Sequence, residues 1–287
     1  MALAMHGLAN TFRNTQRTQA GDYRLSVGIG GTVVRLSTTD RSFSQMLADR
    51  YAGFLDTSAE PEFDLQVDLL PPDVEAEDAD AHVSMVGNRW ILERGDFRAE
   101  WDPVSRRGWV RQAASPYSID SVLRILHTLL LARRGGFLVH AASAIRNGRA
   151  FIFAGRSEAG KTTLSRLAPP GATLLTDEMS YVCREGSVKN PAYRAFGTPF
   201  AGELAKAGEN VSAPLAALYL LAKGPVNKIE PLGHDEAISA LMQNILFFAH
   251  DREIVKLVFQ SACEFVERVP ISRLVFTPDA RVWEMIV

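Results

Sequence analysis

The residues from Gly155 to Thr162 are the strongest chemical signal in the sequence. They read Gly-Arg-Ser-Glu-Ala-Gly-Lys-Thr and fit G-x-x-x-x-G-K-[ST] at every position. In such a loop the glycines let backbone N–H groups turn towards phosphate oxygens. The lysine reaches the β- and γ-phosphates, and the hydroxyl after it can ligate Mg²⁺. The pattern therefore predicts a site for ATP, or a related nucleotide, together with Mg²⁺.

The residues that we assign to nucleotide binding on this basis are Gly155, Arg156, Ser157, Glu158, Ala159, Gly160, Lys161, Thr162 and Thr163.

Two adjacent carboxylates, Asp177 and Glu178, directly follow the apolar segment TLLT. Paired acids at the end of a strand beside a phosphate-binding loop suit both Mg²⁺ binding and general base catalysis. We therefore predict that Thr162, Asp177 and Glu178 supply the metal ligands. Either Asp177 is the base and Glu178 a metal ligand, or the two roles are exchanged. Glu203 could complete the metal shell, although a surface carboxylate needs no such role.

His140 is the third candidate, in the apolar segment FLVHAASAIR. A lone histidine in an apolar strand is more commonly a core residue than a catalytic one. Its place in the strand before the phosphate-binding loop nevertheless makes it a candidate, with Lys161, for stabilising charge during phosphoryl transfer.

The elements that must position these residues can be seen around the loop. The segment FIFAG predicts a buried strand that runs directly into it, and TTLSRL predicts a helix behind it. An Asn147-Gly148 pair between FLVHAASAIR and this strand predicts a tight hairpin. A helix over Ser118–Arg134 precedes them. Later in the chain we expect a helix over Asp235–Ala249 and a closing β segment, RVWEMIV.

These patterns divide the chain into three parts. Residues 113–287 are predicted to form the nucleotide-binding catalytic domain. Residues 21–112 combine alternating segments such as FDLQVDL with one helical pattern over Ser42–Leu55, so they predict a small α+β domain. Residues 1–20 show no periodicity and are expected to be a flexible tail. The acidic stretch Asp73–Asp80 is interpreted as a solvated loop.

The composition excludes several classes of protein. The net charge of −2 argues against non-specific nucleic-acid binding, and 47% hydrophobic residues argue against global disorder. No apolar run approaches the roughly 20 residues that span a membrane. The first ten residues, MALAMHGLAN, do not resemble a signal peptide. With only two cysteines, a reducing cytoplasm is the expected location.

Taken together, the histidine on the preceding strand, the G-x-x-x-x-G-K-[ST] loop and the strand ending in two acids resemble the catalytic domain of HPr kinase/phosphorylase. This is a bacterial P-loop serine kinase whose fold is similar to that of phosphoenolpyruvate carboxykinase. The resemblance covers roughly residues 135–225, and Glu178 stands where a second Asp is common. The segment AYRAFGTPFAGEL takes the place of the family's glycine-rich signature.

The resemblance implies an α/β P-loop domain of the HPr-kinase/phosphoenolpyruvate-carboxykinase type, preceded by the small α+β domain. It also implies a kinase that transfers the γ-phosphoryl group of ATP to a Ser or Thr hydroxyl of a protein or peptide. His140 and Asp177 would work at the transfer centre. Residues 21–112 lie outside the resemblance, but because they have an alternating core pattern of their own, we expect them to help position a large substrate. The alternative is a nucleotide-binding regulatory module with little or no transfer activity, which the missing signature segment favours. The oligomeric state, a homo-oligomer included, stays open.

Overall fold

The computed structural model describes residues 22–71, 80–187 and 190–287. The predicted flexible tail, residues 1–20, and all but the last residue of the acidic stretch Asp73–Asp80 lie outside the described residues.

The first half of the chain forms a seven-stranded sheet with one helix packed on it. The strand order is β1-β2-β3-β7-β6-β5-β4. Parallel pairing joins β2 to β3 and β3 to β7, and the other neighbours are antiparallel. The elements are β1 (Tyr23–Ile29), β2 (Thr32–Thr38), α1 (Arg41–Arg50), β3 (Phe63–Leu69), β4 (His82–Val86), β5 (Arg89–Arg94), β6 (Phe97–Asp102) and β7 (Arg107–Gln112).

A long helix, α2 (Pro116–Arg134), connects this sheet to the second half of the chain. Ser115 caps its start, because the Ser115 side chain accepts the Tyr117 N–H at 3.2 Å, and Gly135 ends it with a left-handed φ of 73°. The helix is buried on almost every side. It packs against α1 as well as against strands of the second half, so one apolar core runs through both halves. The boundary between residues 112 and 113 therefore stays a prediction.

The second half is built around strands that pair with one another through short connections. Its elements are β8 (Phe137–Arg146), β9 (Arg149–Ala154), α3 (Lys161–Arg166), β10 (Thr173–Thr176), β11 (Met179–Ser187), β12 (Asn190–Phe196), β13 (Ser212–Lys223), β14 (Lys228–Pro231), α4 (His234–Met242), α5 (Arg252–Arg268) and β15 (Ile271–Phe276). The sheet order is β10-β8-β11-β12-β13-β15-β14, and β9 pairs with both β8 and β13.

Five of these strands close into a ring. Strand β8 is long enough to pair with β11 through its first residues and with β9 through its last. The ring continues from β11 to β12, from β12 to β13 and from β13 back to β9. Among the described residues of this sheet, two strand pairs are parallel, β13 with β9 and β13 with β15, and the others are antiparallel. Helices therefore do not alternate with strands in this part of the fold.

The predicted fold class is wrong, because the structure consists mostly of β-strands rather than an α/β P-loop domain preceded by a small α+β domain. The reason is local. Asn147 and Gly148 adopt φ values of 51° and 73°, the left-handed turn that joins antiparallel strands without a crossover helix. The helix behind the loop is only six residues long, and the pair Pro169-Pro170 follows it closely. The closing segment RVWEMIV contains most of a 3₁₀ helix, Ala280–Met285, instead of a strand.

Candidate functional site

The predicted phosphate-binding loop, residues 155–162, follows β9, whose side chains are almost all buried. Two backbone positions give the loop its shape. Gly160 has a φ of 109°, and a Cβ on it would lie 2.6 Å from the ring of Phe276, so a side chain fits neither the conformation nor the space. Glu158 has a φ of 63°, a left-handed conformation that costs a non-glycine residue some strain.

The two side chains expected to meet phosphate and metal have partners within the protein. The Lys161 amine donates to the carbonyl oxygens of Gly155 at 2.9 Å and Arg156 at 3.4 Å. Burial lowers the pKa of Lys161, while the carboxylates of Glu203 and Glu178 act in the opposite direction. The Thr162 hydroxyl donates to Glu203 at 2.8 Å. Lys161, Thr162 and Glu203 line one cavity, where a bound anion could replace the acceptors that Lys161 and Thr162 have now.

Asp177 and Glu178 lie at the bend between β10 and β11. Thr176 shapes the bend, because its buried hydroxyl accepts the backbone N–H groups of both Glu178 and Met179 at 3.1 Å. The two carboxylates differ in exposure and in partners. Asp177 is 4% exposed, and its two oxygens accept the N–H groups of Gly202 at 2.9 Å and Leu204 at 2.8 Å.

Glu178 is more open to the site. Its Oε1 lies 3.3 Å from Nη1 of Arg124, and about a quarter of its side chain, 28%, is exposed. Both acids pack against Gly202, where a Cβ would lie 2.9 Å from Oε2 of Glu178 and 3.0 Å from Oδ2 of Asp177. Because glycine has no side chain, the two carboxylates can approach the same point of the backbone.

His140 is on β8, opposite Met179 in the strand pairing and therefore next to the carboxylate bend. Its side chain is exposed at the site, and its backbone N–H donates to the carbonyl of Asn244 at 2.7 Å. Partial burial and the positive charges of Lys161 and Arg124 lower the pKa of His140. The lowered pKa favours the neutral imidazole over the cation.

These side chains meet in one cavity of about 500 Å³. Most of the residues predicted from sequence line it, whereas Gly155, Arg156 and Ala159 do not. The lining residues are His140, Ser157, Glu158, Gly160, Lys161, Thr162, Thr163, Asp177, Glu178, Gly202, Glu203 and Lys223.

The donors present fit a magnesium ion that is held together with phosphate, but not a metal site made by protein alone. Among the described residues, no group of three or more His, Cys, Asp or Glu side chains is arranged to hold a metal. Mg²⁺ usually binds one or two carboxylates and keeps its other positions for water and substrate phosphates. Asp177, Glu178 and the Thr162 hydroxyl would suffice for such an ion.

Sequence reasoning missed two cations. Lys223 ends β13, the strand that runs parallel to β9, so its place at the same sheet edge as the loop could have been inferred only from the strand pairing. Arg124 lies in the middle of α2. The visible signal was a single arginine within the largely apolar run VLRILHTLLLA.

Comparison with known proteins gives a family for the chain. Residues 114–287, more than half of the chain, match the family model described as SynChlorMet cassette protein ScmC. The chain belongs to this family. The match overturns the resemblance to HPr kinase/phosphorylase, which was drawn from three short motifs, whereas the family match extends over α2 and the whole second half. No curated protein matches the chain.

No helix within residues 22–71, 80–187 or 190–287 is long and apolar enough to cross a bilayer.

Proposed function

We propose that this member of the ScmC family binds a nucleoside triphosphate, ATP, with Mg²⁺ and transfers its γ-phosphoryl group to a hydroxyl. One observation carries the proposal: a single cavity combines the loop residues Lys161 and Thr162 with Asp177, Glu178 and His140. Its volume of about 500 Å³ lies within the range of small-ligand sites, about 300–1,000 Å³.

Lys161 would bind the β- and γ-phosphates. Its amine needs to leave only the two loop carbonyls that it contacts now, and phosphate oxygens offer stronger, charge-assisted hydrogen bonds in exchange. Thr162, Asp177 and Glu178 would hold Mg²⁺, which when bound neutralises charge on the phosphates. Asp177 also accepts the backbone N–H groups of Gly202 and Leu204, so it holds this segment next to the proposed metal ligands.

His140 is the best candidate to accept the proton of the attacking hydroxyl. A general base works best when its pKa lies near the working pH. Both carboxylates have other tasks, since Asp177 accepts two backbone N–H groups and Glu178 pairs with Arg124. His140 is neutral, exposed to the cavity and free at its ring nitrogens within the described residues.

We propose that the γ-phosphoryl group is transferred to a Ser or Thr hydroxyl of a protein or peptide, as expected from the sequence. A role for residues 21–112 in recognising it also stays a prediction. Deleting residues 1–112 is a poor test of that role, because the deletion would expose the face of α2 that these residues cover and would remove the partners of Asp120.

A nucleotide-binding module without transfer is the second candidate, and one observation favours it. Lys161, Thr162 and Asp177 all have hydrogen-bond partners within the protein, so the site is held together without a reacting ligand. Incubation with γ-labelled ATP, Mg²⁺ and peptides that carry Ser, Thr or neither residue separates the two. Label on a Ser or Thr peptide supports transfer. Tight nucleotide binding with no labelled product supports the module.

The role of His140 predicts a specific pH dependence. For the nucleotide, kcat/KM should fall as the pH drops through an apparent pKa below the ordinary value of about 6.5, because the base must be neutral and its pKa is lowered. For kcat, which reports the enzyme with nucleotide bound, the rate should fall at a higher pH. The reason is that bound phosphates offset the charge of Lys161, one of the charges that lower the pKa of His140. Rates measured from about pH 5 to about pH 9, a range that spans the titration of histidine, would check this. The limb should vanish in His140→Gln, and an unchanged limb in that variant would rule out His140 as the base.

A further inference from the structure

Arg124, on the buried helix α2, places a positive charge against Glu178, a residue that lines the cavity. Its Nη1 lies 3.3 Å from Oε1 of Glu178, and its guanidinium lies 5.0 Å from the ring centroid of Phe200. Only 20% of the side chain is exposed. Its buried Nε has no hydrogen-bond partner among the described residues, so the interaction with Glu178 is the main polar contact of this guanidinium.

We propose that Arg124 is a positioning residue, which holds the Glu178 carboxylate at the cavity wall beside His140. The inference rests on the proposed function and adds to it a residue that does not touch the nucleotide. Arg124 is absent from the cavity lining, so it acts through Glu178.

The backbone of Glu178 is already fixed, which leaves its side chain as the part that needs support. The Glu178 N–H donates to Thr176 at 3.1 Å, and its carbonyl accepts the Ala141 N–H at 2.9 Å. Gly202 offers the carboxylate space but no side-chain contact. Arg124 fixes the position of the Glu178 carboxylate, because a planar guanidinium holds a carboxylate more precisely than an ammonium does.

Arg124 is itself held in place from the first half of the chain. Asp120 lies one helical turn earlier on α2 and binds the Arg50 guanidinium and, at 2.6 Å, the Tyr51 hydroxyl. The ring of Phe200 also packs against the guanidinium. Contacts of α1 and the residue after it therefore fix the helix that carries Arg124.

The charge of Arg124 also reaches His140. Partial burial, Lys161 and Arg124 all lower the pKa of the imidazole. Removing Arg124 leaves the Glu178 charge unpaired, so the pKa of His140 should rise. The charged groups that face His140 are Arg124 from α2, Lys161 from α3, Asp177 and Glu178 from the β10–β11 bend, Glu203 from the loop after β12 and Lys223 from the end of β13.

The test compares Arg124→Gln and Arg124→Lys with Arg133→Gln, a control at an exposed position of the same helix. In Arg124→Gln, kcat should fall about 10- to 100-fold, the cost typical of losing a residue that orients a ligand-binding side chain. The affinity for ATP should stay within about threefold, as expected for a residue that makes no phosphate contact. Arg124→Lys keeps the charge and should recover part of kcat, and the control should match the wild type.

The second readout needs no turnover. The His140 imidazole is titrated by proton NMR in the full chain, with His140→Gln to assign its signal. We expect a higher pKa in Arg124→Gln, a smaller rise in Arg124→Lys and no change in Arg133→Gln. An unchanged titration together with an unchanged kcat in Arg124→Gln would overturn the positioning role. An inactive wild type in which His140 still shifts would instead refute the proposed transfer and keep the role of Arg124.

Discussion

Asp120→Ala is expected to lower the free energy of unfolding by about 3–5 kcal/mol, the cost of removing one partner from a buried ion pair. The side chain of Asp120 is 4% exposed and binds both the Arg50 guanidinium and the Tyr51 hydroxyl. Without Asp120, neither the Arg50 guanidinium nor the fully buried Tyr51 hydroxyl has an equivalent partner. Burial and the neighbouring Asp120 charge raise the pKa of Tyr51, so the phenol stays neutral and donates.

Denaturant unfolding of the full chain measures this loss. Tyr51→Phe is the matched variant, because it removes one hydrogen bond and keeps the ion pair, and it should cost about 1 kcal/mol. An Asp120→Ala chain as stable as the wild type would mean that the two halves are not joined through this cluster.

Asp177→Asn should reduce kcat/KM for phosphoryl transfer by about 10²–10³-fold, the range found when one charge-stabilising group is removed from an active site. The substitution removes the negative charge expected to hold Mg²⁺. It also places an amide NH₂ against the N–H of either Gly202 or Leu204, since both carboxylate oxygens accept backbone N–H groups. The wall of the cavity then loses one hydrogen bond.

The rate is measured with labelled ATP and a Ser or Thr peptide, after circular dichroism has shown that the variant is folded. Asp235→Asn is the control, because Asp235 is fully exposed on α4, away from the cavity. Equal rates in Asp177→Asn and the wild type would exclude Asp177 from the transfer site.

Short-range signals predicted the parts of this molecule that local physics controls. The turn at Asn147-Gly148 and the strand FDLQVDL appear as the residue types indicate. The helix predicted from Ser118 starts earlier, at Pro116, because Ser115 is the cap and a proline favours the first helical turn. The helix predicted over Asp235–Ala249 ends at Met242.

Local sequence patterns could not predict the ring of five strands. Its closure depends on β9 pairing with β13, more than 60 residues away in sequence, and no local pattern specifies that pairing. The segment around Trp283 was misread for a related reason. Its apolar residues suit a strand, but the Trp283 indole donates to the Leu164 carbonyl at 3.1 Å, so packing against α3 decides its 3₁₀ conformation.

In the candidate site, too, local sequence patterns predicted some residues, whereas others could be found only from the tertiary structure. The loop residues and the acid pair could be selected as candidates from their spacing, because phosphate and Mg²⁺ binding each require particular residue types. Arg124 and Lys223 reach the site from elements far apart in the chain, and only the tertiary structure brings them there.

Calorimetric titration of the full chain with ATP and Mg²⁺, for the wild type and Lys161→Ala, is the most direct test of the central claim. Lys161→Ala should weaken binding by about 10- to 100-fold, since a charge-assisted hydrogen bond contributes about 1.5–3 kcal/mol. Lys256→Ala, which changes an exposed lysine of α5 outside the cavity, should bind like the wild type. Equal affinity in the wild type and Lys161→Ala, or no binding by the wild type, would contradict the assignment of this cavity as a nucleotide site.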